Sequence, residues 1–283
     1  MMAPAAASVF RERNASLIAE ATRQLLDRFL TIEAETDPWP HAVAPGFLPP
    51  QLYAQLVQVL SGQDRQKLSG DGTGRHFLTI NPQTYACGAN LMADLDFWSG
   101  RLDPLLGLVL ACFSDRLVRN KLFLRFKQVQ RSVIGRATSL EREKQQQANI
   151  EVRLVYDDPT YDLLVHTDLE EKIFSILVYI PLDDQSQADG TSLYAPRKPG
   201  FRDDGSHYMP VDQFELRKTM PFAENHAFMF FRTDTSFHAK PRAPSSARTD
   251  RYSLQINYVS PGQGLSPWNG VRRATKTASE LMP

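Results

Sequence analysis

In the stretch YDLLVHTDLEEKIFSILVYIPLDD, residues 161–184, a histidine and a carboxylate stand two residues apart: His166 and Asp168. Either can ligate a metal or carry a proton, and the two can hydrogen-bond each other. They lie directly ahead of a run rich in Ile, Leu, Val and Phe, where burying a polar pair costs free energy unless it is matched. On a strand, a spacing of two turns both side chains to one face, whereas on a helix they diverge by about 200°. The flanking residues are strand-forming, so the pair can converge on one point. A His-x-Asp alone is a weak signal, and a third member must give it meaning.

Four of the other five histidines are poor thirds. His41 and His76 fall in a helical half of the chain, where a ring tucked against a helix end is expected. His207 lies in a long polar segment and is expected in solvent, and His226 opens HAFMFF as a strand-end residue. His238 differs, because TDTSFHAKP leads into a turn and then the last strand-like run, RYSLQINYV. Two imidazoles and a carboxylate on adjacent strands occupy one face of a metal ion and leave the opposite positions open. That donor set suits non-haem Fe(II).

The last strand adds a fourth residue. Arg251, Ser253, Gln255 and Asn257 alternate with Tyr252, Leu254, Ile256 and Tyr258, so one face is polar among otherwise apolar strands. A polar inward face needs a polar ligand. Arg251 offers a planar fork suited to a carboxylate, with Ser253 beside it on the same face. Arg248 is the rival, although its odd offset turns it outward if the strand starts that early.

These residues need strands to hold them. From Lys121 onward KLFLRFKQ, EVRLVY, KIFSILVYI, GTSLYA, HAFMFF and YSLQINYV are short, β-branched or aromatic, and separated by turn formers. That pattern predicts an all-β sandwich or barrel. KIFSILVYI is apolar at nearly every position, so both its faces are covered, one of them by helices from the first half. Helical spacing predicts a helix over 14–30 and a second after Pro49 and Pro50, with a short strand at His41–Val43 between them. A third helical region, interruptible at Pro104, is expected over 90–117. The expected organisation is a helix-rich part at 1–120, a β core at 121–262 and a tail at 263–283. The polar segment from Pro196 to Phe222 reads as a long loop, of the kind that serves as a flap.

The totals fit a soluble globular chain of 283 residues, 42 % hydrophobic and 23 % charged. Lys+Arg and Asp+Glu are both 32, so bulk charge does not wrap a phosphate backbone and no nucleic-acid partner is expected. Cys87 and Cys112, 25 residues apart, read as reduced buried thiols rather than a disulfide or a thiolate zinc site. The start, MMAPAAASVFRER, has no long apolar core after a basic head, so no secretory leader is expected there, and LDPLLGLVLACF is too short for a bilayer. A cytoplasmic protein with no membrane partner is expected; the oligomeric state is open.

HTD at 166–168, SFHA around His238 and RYS at 251–253, in that order, resemble the Fe(II)- and 2-oxoglutarate-dependent oxygenase superfamily, with a prolyl-hydroxylase-like branch possible. GTSLYAP at 190–196 resembles that family's strand after the metal carboxylate. The likeness covers roughly 152–258, and only PWPHAVAPGFLPP and its following helix extend it N-terminally. It implies a double-stranded β-helix (jelly roll, cupin-like) with helices packed on its outer face. It implies His166, Asp168 and His238 as iron ligands and Arg251, beside Ser253, as the anchor of the 2-oxoglutarate distal carboxylate. Tyr156 and Tyr179 are implied as cosubstrate-binding, with a core role as the alternative for each. The reaction implied consumes O2 and 2-oxoglutarate, releases succinate and CO2, and hydroxylates a C–H bond of a small molecule or amino-acid-like group, which could be peptidyl. Halide-transferring relatives lack the carboxylate that Asp168 supplies, so hydroxylation or a related oxidation is expected over halogenation.

Two other readings stand beside this one. A cupin-like metalloenzyme would use the same three ligands without 2-oxoglutarate, and would leave Arg251 without a task. An inactive barrel would serve as a binding module. Lys172 is expected as an exposed strand-start lysine, and Asn225 as a cavity-lining or turn-capping residue.

Overall fold

The computed structural model describes residues 15–61, 69–70, 74–80, 102–124, 148–159, 161–182, 190–203, 205, 208–240 and 251–260. Helix α1 spans Ala15–Thr31 and buries Ala21, Leu25 and Phe29, a stripe at four-residue spacing. Strands β1 (Ala34–Glu35) and β2 (His41–Ala44) follow, then helix α2 (Pro50–Ser61), which starts at the second of two prolines. Strands β3 (Ser69–Gly70) and β4 (Arg75–Ile80) precede helix α3 (Leu102–Ser114), and residues 116–124 are helical as well.

The strands that follow are β5 (Asn149–Asp157), β6 (Leu163–His166), β7 (Lys172–Ile180), β8 (Ser192–Pro196), β9 (Phe214–Thr219), β10 (Ala227–Phe231), β11 (His238–Lys240) and β12 (Arg251–Val259). They form two sheets. The larger runs β1-β2-β10-β7-β12-β5-β4-β3 and the smaller β6-β11-β8-β9, with antiparallel pairings throughout. Successive strands from β5 onward thus alternate between sheets, except that β8 and β9 are neighbours.

Period-two patterning decides what each face meets. On β7, Phe174, Ile176, Val178 and Ile180 join Leu154, Met229, Leu254 and the helix residues Leu25, Leu56 and Phe113 in one cluster. The other face supplies Tyr179, which packs with Phe228, Phe230, Phe222 and, from the smaller sheet, Leu193. Val165, Tyr194, Phe214 and Phe237 make a third cluster. The apolar run of β7 is therefore covered on both sides, by helices on one and by the smaller sheet on the other.

The structure corrects several expectations. His41 and His76 lie on β2 and β4, not against helix ends, because both short strands extend the large sheet. Residues 121–124 finish a helical stretch, so KLFLRFKQ does not open as a strand, and the boundary expected at 121 falls inside that helix. Residues 125–128 lie outside the described residues. The segment 196–222 is not a continuous loop: β9 lies inside it and pairs with β8. Cys112 is buried and its thiol is pushed up to about 11 by burial. Cys87, Arg248, His207 and the tail at 263–283 lie outside the described residues.

Candidate metal and anion site

His166 closes β6, His238 opens β11, and the two pair directly across the antiparallel ladder. Their rings lie 4.4 Å apart between centroids. Asp168 follows two residues beyond His166, and one ligand atom from each of the three side chains falls within 4.8 Å of the others. Among the described residues this is the only cluster of its kind. All three side chains are buried.

Local backbone fixes which atoms face inward. Nδ1 of His166 lies 2.9 Å from the Leu164 carbonyl, and Nδ1 of His238 lies 2.9 Å from the Ser236 carbonyl. A carbonyl can only accept, so each Nδ1 carries the proton and each neutral ring presents Nε2 with its lone pair. His41 and His226 make the same bond to the carbonyl two residues earlier, so the bond orients a ring without marking a ligand. Convergence with Asp168 is what distinguishes His166 and His238.

Asp168 is held at both oxygens. Ser175 Oγ donates to Oδ2 at 3.0 Å, and Lys172 Nζ donates to Oδ1 at 2.8 Å. Oδ1 also lies 4.0 Å from His238 Nε2, so it is the oxygen that faces the histidines. Burial by itself pushes this carboxyl up. The Lys172 ammonium, by its charge and its hydrogen bond, opposes that and holds Asp168 below the usual carboxylate range. Lys172 is thus a member of the site rather than an exposed lysine. The turn at 169–171, closed by a bond from Lys172 N to Leu169 O, carries it back over Asp168.

A cavity of about 60 Å³ opens among these residues, several times the ~10–15 Å³ that one water needs. Its lining includes Arg251, Ser253, Gln255, Thr191, Lys240 and Arg75. A larger groove of about 660 Å³, between α1 and α3, has no metal-ligating cluster among the described residues. Arg251 is 4 % exposed and sits over the rings of Phe222 and Tyr179, at 5.1 and 5.4 Å. Its Nε and Nη1 have no hydrogen-bond partner among the described residues. Ser253 is buried beside it and also lines the cavity.

The two tyrosines divide. Tyr179 pairs with Ser253 in register, and its hydroxyl donates to Thr191 Oγ1 at 2.8 Å. Tyr156 pairs with Tyr252, meets its ring tilted at 5.1 Å between centroids, and belongs to the helix-side cluster. Strand parity puts Tyr156 on the face away from the cavity, a correction to the role the resemblance implied. Asn225 clamps both backbone groups of Leu48 and does not reach the site.

Arg75, Lys172, Lys240 and Thr191 were missed by sequence reasoning. Lys240 was findable as the second residue after His238 on one strand. Arg75 was not, because nothing in the sequence announces that β4 pairs with β5.

No family model and no curated protein matches the chain. Solved structures do. A Pseudomonas putida prolyl-4-hydroxylase is 17 % identical over 85 % of this chain and 100 % of its own, with a TM-score of 0.41. The Arabidopsis thaliana dioxygenase for auxin oxidation 1, in its 2-oxoglutarate complex, is 13 % identical over 89 % and 82 %, with a TM-score of 0.40. A Trichoplax adhaerens prolyl hydroxylase holding a hypoxia inducible factor peptide is 12 % identical over 94 % and 95 %, with a TM-score of 0.34. Two prolyl hydroxylases and a 2-oxoglutarate-bound dioxygenase are thus among the solved structures to which the chain is similar. The side chains themselves carry the reading that follows.

Proposed function

We propose that the protein is an Fe(II)- and 2-oxoglutarate-dependent oxygenase that hydroxylates a C–H bond of a small or amino-acid-like substrate. The observation that carries this reading is Arg251, a guanidinium buried in the same cavity as the His166–Asp168–His238 cluster with two N–H-bearing atoms unmatched. An unmatched buried donor costs about 1–3 kcal/mol, and more when charged. A dicarboxylate held there would remove that cost with one of its carboxylates. The alternation of β5 to β12 between two sheets supports a double-stranded β-helix with α1 to α3 on its outer face.

The residues fit a ferrous ion: two Nε2 atoms and one carboxylate oxygen converge, each oriented by a neighbour. With 2-oxoglutarate and O2, such an ion supplies oxidation of a C–H bond, with release of succinate and CO2. The chain's contribution is positional. The Leu164 and Ser236 carbonyls hold the imidazole tautomers, and Ser175 holds Asp168 by one oxygen so that the other faces the ion. Arg251, flanked by Tyr179, Phe222 and Ser253, fixes the far end of the diacid. Burial keeps bulk water from competing for these contacts.

One observation favours a barrel that binds ligands without metal: the Lys172 ammonium already neutralises the oxygen of Asp168 that faces the histidines. A single titration separates the two. Anaerobic protein with Fe(II) and 2-oxoglutarate is expected to show the weak visible charge-transfer band of the chelate. The band is expected to vanish in His166→Ala. In Arg251→Ala, 2-oxoglutarate affinity should fall at least about tenfold, roughly 1.4 kcal/mol, with metal affinity kept. No band in the wild type overturns the reading.

A further inference from the structure

The motif PWPH at 38–41 supplies no ligand and no cavity-lining residue. It leads into β2, near one edge of the large sheet, yet it carries Trp39 across to the smaller one. Trp39 is 2 % exposed, and its indole Nε1–H donates to the Phe237 carbonyl at 3.2 Å. Phe237 immediately precedes His238. Its carbonyl also accepts from the Tyr194 amide at 3.0 Å, so both lone pairs of that oxygen are used. Strand β11 is only three residues long, and its register with β6 shifts between His238 and Lys240. The indole bond therefore adds a tie where the ladder is short. Trp39 is itself anchored: Nδ1–H of the buried His41 donates to the Trp39 carbonyl at 2.8 Å.

Ring contacts complete the hold. The His238 imidazole meets Phe230 edge-on at 5.0 Å and Trp39 edge-on at 6.3 Å between centroids, and the indole and Phe230 meet each other at 5.3 Å. A single hydrogen bond at Nδ1 is an axis about which an imidazole can still tilt. The two aromatic neighbours restrict that tilt and leave Nε2 facing Asp168 Oδ1. We propose that Trp39 is a positioning residue for the metal, an indole from the N-terminal part that holds His238 in the orientation a ligand needs. The inference rests on the metal site of the reading above and not on 2-oxoglutarate. Residues that orient a ligand without touching the ion are worth about tenfold to a hundredfold in metal affinity.

The test is a titration of the full chain with Mn(II), read by the electron paramagnetic resonance of the free ion. It compares wild type, Trp39→Ala, His238→Ala and the double variant. Trp39→Ala is expected to weaken Mn(II) binding about tenfold or more. In the His238→Ala background the same change should matter less than about twofold, because the ring it positions is gone. Phe113→Ala destabilises the fold from the helix layer and should leave Mn(II) affinity within about twofold, which separates positioning from loss of stability. Should Trp39→Ala fail to fold, Trp39→Phe keeps a ring without the N–H and runs the same cycle, with a loss of at least about threefold. The visible band of the Co(II) form, which reports ligand geometry, should shift in Trp39→Phe and stay in place in Phe113→Ala. Unchanged Mn(II) affinity in the Trp39 variants overturns the proposal. So does a loss that persists in full without His238, since Trp39 then serves only the fold. Absence of Mn(II) binding in the wild type sinks both this inference and the oxygenase reading. A protein that passes the cycle but never binds 2-oxoglutarate removes the oxygenase reading and leaves the role of Trp39 standing.

Discussion

At the scale of single residues, the site is a problem in matching buried charge. His166 and His238 are neutral donors because two carbonyls hold their Nδ1 protons. Asp168 is ionised because the Lys172 ammonium opposes the effect of burial. Asp157 is held the same way by Arg75, and its depressed folded value has a consequence for stability. A carboxyl with a lowered folded pKa stabilises the fold above its unfolded value, ~3.9, and loses that contribution as pH falls through the folded value. Asp157→Asn leaves Arg75 without its bidentate partner. It is expected to cost about 3 kcal/mol at pH 7, as removal of one member of a buried pair does. The gap between variant and wild type should narrow as pH drops below about 4, where the unfolded carboxyl protonates, and close only below the depressed folded value. Denaturant unfolding at both pH values measures it, and a gap independent of pH would assign the loss to packing.

At the scale of elements, strand ends place the chemistry and turns restrict it. Gly205 has φ of +89°, and a Cβ there would lie 2.1 Å from the Asp168 carbonyl oxygen. Its amide donates to Asp203 Oδ2, which also accepts from Thr167 Oγ1, so this loop is tied beneath the ligand segment. Gly205→Ala is expected to cost ~2 kcal/mol, because a side chain both strains the backbone and displaces Asp168. Mn(II) affinity should fall with it. Thermal unfolding and a metal titration read the two effects, and an unchanged metal affinity would free Asp168 from the loop. Parity arguments held wherever a strand is continuous, as for Arg251, Ser253 and Tyr179. Parity also removes Tyr156, whose even position on β5 turns it to the helices. The expectation of an exposed lysine at 172 fails because the turn at 169–171 carries that residue back over Asp168.

At the scale of the whole molecule, the large sheet separates two environments: an apolar layer shared with the helices and a polar cavity facing the smaller sheet. Phe113 lies wholly within the first layer, and its carbonyl accepts from the Tyr258 hydroxyl at 2.9 Å. Phe113→Ala is expected to lose about 3–5 kcal/mol, lowering Tm by roughly 10 °C. Affinity of the folded protein for Mn(II) and 2-oxoglutarate should stay within about twofold, because the cavity is built on the opposite face. A large affinity loss would show that the helices hold the site as well as the fold. No described helix is long and apolar enough to cross a membrane.

The sequence by itself determined β5, β7, β8, β10 and β12 and the order His166, Asp168, His238, Arg251, since a period of two and a polar face are local properties. The ring pairing across β6 and β11, the bond from Lys172 to Asp168, and the convergence of Arg75 and Lys240 on Tyr161 were decided only by tertiary structure. Those depend on which strands become neighbours, and pairing energy is spread over contacts far apart in the chain, where no short stretch carries its signature.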